Sequence, residues 1–90
     1  KLGKYEAAIP HMEKAAELMP VDPIVMDHLG DLYWAVGRQL EAKFQWRRAL
    51  SFDPEPKDAT RIREKLRVGL DRVLVSEGSK STSELYANDN

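Results

Sequence analysis

Two histidines, His11 and His28, and the carboxylates near them are the side chains of this chain best suited to proton transfer or metal binding. His28 stands beside Asp27 and three residues before Asp31, so a helix would gather an imidazole and two carboxylates loosely on one side. A zinc site asks for more, namely a second His or a Cys at a spacing that closes a tetrahedron, and a general base needs a group that orients it. Neither histidine has such a partner, so both read as surface residues and no metal is expected. The fifteen Asp and Glu are scattered without a distinct acid–base pair. There is no phosphate-cradling glycine loop and no nucleophilic serine motif. No catalytic residue, no cofactor and no enzymatic activity are expected.

A second chemistry is suggested by Lys43-Phe44-Gln45-Trp46-Arg47-Arg48 and by the arginines after Lys57, where cations could meet phosphate and aromatics could stack on bases. Against it, fourteen Lys and Arg are balanced by fifteen Asp and Glu, so bulk attraction to nucleic acid or an anionic membrane is not implied. Cysteine is absent, which removes disulfides and thiolate sites together and leaves the compartment undecided. The longest clear apolar run, Leu32-Tyr33-Trp34-Ala35-Val36, is far short of a membrane span. Ninety residues make one domain with a small core, hiding about 60 to 65% of the surface of the unfolded chain. The start at Lys1, without Met or a signal-like stretch, reads as a piece of a longer protein.

The elements that position these residues emerge when the sequence is slid against itself by 34 residues. Gly3 then falls on Gly37, Ala8 on Ala42, Met12 on Trp46, Lys14 on Arg48, Ala15 on Ala49 and Pro20 on Pro54. Apolar residues at Ala8, Ile9, Met12, Ala15, Ala16 and Met19 give a first helix, with Pro10 demanding either a late start or a kink. Asp22-Pro23 caps a second helix running to about Val36 and closed by Gly37 in a left-handed turn. A third, from about Gln39 to Phe52, carries Leu40, Phe44, Ala49 and Leu50 and stops before Pro54 and Pro56. A longer helix from about Lys57 to Glu77 shows Ile62, Leu66, Leu70, Val73 and Leu74 on one stripe, with Arg61, Arg63, Glu64, Lys65, Arg67 and Arg72 expected in solvent. Gly78 ends it, and a polar tail follows.

At Met26-x-x-Leu29-Gly30-x-x-Tyr33, then Ala42-x-x-x-Trp46, Ala49 and Pro54, the chain resembles the tetratricopeptide repeat (TPR). Gly30 and Ala42 let two antiparallel helices approach, while Leu29, Tyr33 and Trp46 fill the space around them. The resemblance implies an all-α fold of antiparallel helix-turn-helix repeats, an α-solenoid with a C-terminal capping helix. Residues 1–22 would be the second half of one repeat, 23–56 a complete repeat, 57–78 the capping helix and 79–90 a flexible tail. The first helix then lacks its usual neighbour, leaving Leu2, Tyr5, Ile9 and Met12 partly bare.

In this family the first helices of successive repeats line a concave groove for a partner peptide or helix. By position the groove residues would be Ile24, Asp27, Asp31, Trp34 and Ala35, joined by Arg61 and Lys65 from the last helix. Asp27 and Asp31 would repel a terminal carboxylate, so a basic or apolar segment suits better. The alternative for the aspartates is a plainly solvated helix face, and for Trp34 it is packing on the last helix. Phe44 and Trp46 are assigned to the repeat core, which weakens the nucleic-acid reading. The expected role is a non-catalytic scaffold for a protein or peptide of unknown identity, with homo-oligomerisation through the first helix as the alternative.

Overall fold

The computed structural model describes residues 2–78 and folds them into five helices: α1 (Leu2–Leu18), α2 (Pro23–Ala35), α3 (Gln39–Ser51), α4 (Pro56–Val68) and α5 (Leu70–Ser76). No strand occurs among the described residues. The expected tail, with Glu84-Leu85-Tyr86, lies outside them. The boundaries follow local chemistry. The Asp22 carboxylate accepts from the Ile24 N–H at 2.9 Å, filling one of the orphan donors of the first turn, and Pro23 supplies the pre-set φ behind it. At the other end Gly37 takes φ +87°, and the N–H groups of Gly37 and Arg38 donate to the carbonyls of Trp34 and Tyr33. Helix α1 runs straight through Pro10 in its hydrogen-bonded span, so the late start does not occur. Pro10 and Glu6 both lie on the exposed side, where water can satisfy the carbonyl that the proline leaves without a donor.

The core is built where α2 meets α3. Met26, Leu29 and Tyr33 from α2 meet Ala42, Trp46 and Ala49 from α3, with Ile9, Ile62 and Leu70 closing the sides. Gly30 is required there: a Cβ on it would stand 2.5 Å from Trp46 Nε1. The indole occupies the space a side chain would need, so the close approach of the two helices and the burial of Trp46 are one feature.

Three expectations are corrected. The single helix after Lys57 is two, because Gly69 adopts φ +88° and breaks the ladder between Val68 and Leu70. Had the helix continued, residues 61 and 77 would stand about 24 Å apart along the axis. Instead Arg61 donates from Nε and Nη2 to Glu77 at 2.8 and 2.9 Å, so α5 folds back along α4. Leu40 and Phe44 are not core residues but are exposed, at 82% and 56%. Each precedes an inward residue, Ala42 or Trp46, by two positions, which on a helix is a rotation of about 200°. Lys65, expected in solvent, is completely buried. On the first helix, expected to be partly bare, Ile9 turns into the core, while Tyr5 and Met12 are half-buried. The Leu2 side chain lies outside the described residues.

Candidate protein-binding face

On α2, Ile24, Asp27, His28, Asp31, Trp34 and Ala35 recur at helical spacing and share one side of the helix. Asp27 leans toward α4, and Lys65 reaches it from there. Lys65 Nζ donates to Asp27 Oδ1 at 2.8 Å and to Asp31 Oδ1 and Oδ2 at 3.0 and 3.1 Å. All three ammonium protons thus have acceptors, which is the condition for holding a lysine in a dry site. Trp46 Nε1 also donates to Asp31 Oδ1, at 3.1 Å, and the ammonium lies 5.8 Å from the Trp46 ring centre. Burial raises the Asp31 carboxyl above its ordinary range, with the Asp27 charge adding to the effect and Lys65 opposing it. Lys65 follows Asp31 by 34 residues, so equivalent positions of two consecutive repeat units touch.

The structure therefore brings Asp27, Asp31 and Lys65 together, but as an internal ion cluster beneath the face. Asp27 and Lys65 offer a partner almost no surface, whereas Asp31 keeps a part-exposed edge. Trp34 packs at the helix break. Its ring lies 2.8 Å from where a Cβ on Gly69 would stand, and 5.6 Å from the Trp46 ring. That is the packing alternative weighed above, and it explains why residue 69 has no side chain. Ile24 remains exposed and Ala35 half-buried. Arg61 lies half-buried, its bidentate bond to Glu77 holding the guanidinium pKa above its usual value.

On the other flank of α2 an open recess of about 370 Å³ separates it from α1, lined by Tyr5, Ala8, Met12 and Leu32, with Lys4, His28 and Asp31 at its rim. His28 thus stands on the exposed face; among the described residues there is no group of three His, Cys, Asp or Glu that could hold a metal ion. A clasp that sequence reasoning missed ties α1 to α2 further along. The Tyr33 hydroxyl donates to the Glu13 carboxylate while the Arg38 guanidinium lies 4.5 Å above the ring. Burial and that carboxylate push the phenol up to about 12. No sequence signal links residues 13 and 33, since the contact depends on how α1 lies across α2.

Residues 1–22 match the family model of the tetratricopeptide repeat, upstream of the motif that runs from Met26 to Pro54. No curated protein and no solved structure matches the chain. Among the described residues no helix is long and apolar enough to cross a membrane. Repeats of this family serve protein–protein interaction and are in general non-catalytic scaffolds. The match at residues 1–22 supports a tetratricopeptide repeat there, and five helices with no strand among the described residues make an all-α fold consistent with a helical repeat of that type.

Proposed function

We propose that the chain is a protein-interaction scaffold whose partner segment lies across α2, touching Ile24, His28 and the open edge of Asp31, with Trp34 and Arg61 at the α4 side. The observation that carries this reading is the exposure of Ile24 and His28 one helical turn apart on a surface made rigid from below by Lys65. Asp27 and Lys65 keep a role in it as supports: they hold α2 and α4 in register and present no atoms of their own. Lys65 neutralises one of the two aspartates, so the face is mildly acidic and suits an apolar segment with a basic residue. Pre-organised in this way, the face leaves most of the ordering cost to the partner. Affinity capture with the wild-type protein beside an Ile24→Glu, His28→Glu variant tests it. A protein retained by the wild type and lost with the folded variant is the expected result. Recovery of the same set by both removes α2 as the site.

A second reading is favoured by the α1–α2 recess. Ala8, Met12 and Ala15 occupy the positions that Ala42, Trp46 and Ala49 occupy one repeat later, and those three face a packed helix. A helix from a neighbouring repeat or from a second copy would fill the recess. Sedimentation velocity of the wild type and of Met12→Glu distinguishes them: a dimer that the substitution dissolves means a second copy.

A further inference from the structure

The side of α3 that turns away from α2 is a second surface, unrelated to the face just described. Ala42, Trp46 and Ala49 point inward, so Leu40, Phe44, Arg47 and Ser51, at steps of four, three and four, line the outside in one stripe. Leu40 and Phe44 are the two large apolar side chains on it, and both are open to solvent. The charge around them is mainly basic. Lys43 follows Leu40 by three residues, and Arg47 and Arg48 follow Phe44 by three and four. The only acidic residue of the helix, Glu41, is already held by Arg38 through Nε at 2.7 Å and through Nη2. Lys43 and Arg47 enter no ion pair among the described residues.

A shallow recess of about 340 Å³ runs beside Leu40 and Phe44, with Tyr33, Glu41 and Gln45 as its other walls. It shares Tyr33 and Gln45 with a second, of about 360 Å³, that continues toward α1 and is lined also by Arg48, Glu13 and Glu17, on the flank of α3 opposite Lys43. The carboxamide oxygen of Gln45, common to both, is buried and accepts no hydrogen bond.

We infer that the outer face of α3 docks an acidic amphipathic protein segment, whose apolar side chains cover Leu40 and Phe44 and whose carboxylates pair with Lys43, Arg47 and Arg48. Two anchors one helical turn apart, about 6 Å along the axis, match the spacing of apolar side chains on a partner helix. Single-stranded nucleic acid fits less well, because stacking needs aromatic faces and the second aromatic of the segment, Trp46, is fully buried. A second copy fits less well still. A two-fold interface through this stripe would set Lys43, Arg47 and Arg48 against themselves.

The test is fluorescence anisotropy of the full chain with a labelled synthetic peptide that carries Leu and Phe one turn apart and Glu at the flanking positions, beside the same peptide with Lys in place of Glu. Saturable binding of the acidic peptide is expected, about tenfold tighter than that of the lysine peptide and weakened by salt. Phe44→Ala and Arg47→Glu, checked for unchanged circular dichroism, should each lower the affinity about tenfold. Ile24→Glu should leave it unchanged, which separates this surface from the α2 face. Equal binding of the two peptides, absence of saturation, or indifference to Arg47→Glu overturns the inference. So does tighter binding of a single-stranded oligonucleotide, or self-association that Phe44→Ala abolishes.

Discussion

Trp46 and Phe44 stand two residues apart on α3, and their surroundings are opposites. Trp46 is enclosed on every side: Gly30 makes room for it, Asp31 accepts its N–H, and the Lys65 ammonium lies over its ring. Phe44 meets solvent together with Leu40, near Lys43 and Arg47, which enter no ion pair among the described residues. Polar groups on the inner side are spent on one another, so they confer geometry. On the outer side Lys43 and Arg47 are in no ion pair among the described residues, so they are available for recognition. Charge has a different meaning in the two places because the Lys65 ammonium is fully buried, whereas the outer cations are screened by water until something displaces it.

The strongest attack on this contrast is Lys65→Met. It leaves two aspartates facing each other with no cation, and should cost about 3 to 5 kcal/mol in urea unfolding. Adding Asp27→Asn and Asp31→Asn should recover most of that loss, since neutral groups need no counter-charge. A loss below about 1 kcal/mol for Lys65→Met would mean that the cluster behaves as a surface pair. Next comes Gly30→Ala, whose methyl would meet the Trp46 indole; about 1 to 3 kcal/mol of destabilisation is expected, with a shift in tryptophan fluorescence.

A pH comparison of the wild type with Asp31→Asn probes the inner side more finely. The Asp31 pKa is raised by folding, so the folded chain binds a proton there more readily than the unfolded chain does. The associated stability is fully present below the ordinary carboxylate value and is lost as pH rises through the folded pKa. On acidification from about pH 7 to pH 4 the wild type should therefore gain urea resistance relative to Asp31→Asn. Glu41, Glu64 and Glu77, each held below its usual range by an arginine, act in the opposite sense in both proteins and cancel. The smallest effect belongs to the outer side, where Leu40→Ser and Phe44→Ser should each change stability by no more than about 0.5 kcal/mol.

Much of this architecture was legible in the residues. Asp22-Pro23, Gly37 and Pro54 mark helix ends for local steric and hydrogen-bonding reasons, and the 34-residue offset announced the repeat. The assignment of Phe44 to the core was avoidable. Once Ala42 and Trp46 are inward, residues two positions earlier on the same helix must face out. The break at Gly69 had a signal as well, since a glycine inside a helix costs about 1 kcal/mol relative to alanine and asks for a reason. The reason, the Trp34 ring against it, is visible only in three dimensions.

The face on α2 was legible as a set of positions and not as a set of roles. Helical spacing alone places Ile24, Asp27, Asp31 and Trp34 on one side, and the offset that pairs residue 31 with residue 65 points to where α4 must touch. Which of these side chains are buried was decided by tertiary packing. A carboxylate at a given helical position looks the same in sequence whether water or an ammonium group lies beyond it, and the distance between α2 and α4 settles which. Sequence thus determined the ends of α2 and α3, the repeat period and the inward Ala42, Trp46 and Ala49, because these follow from local conformation and side-chain size. The burial of Lys65 and the fold-back of α5 were decided by the packing of helices against one another, which periodicity does not encode.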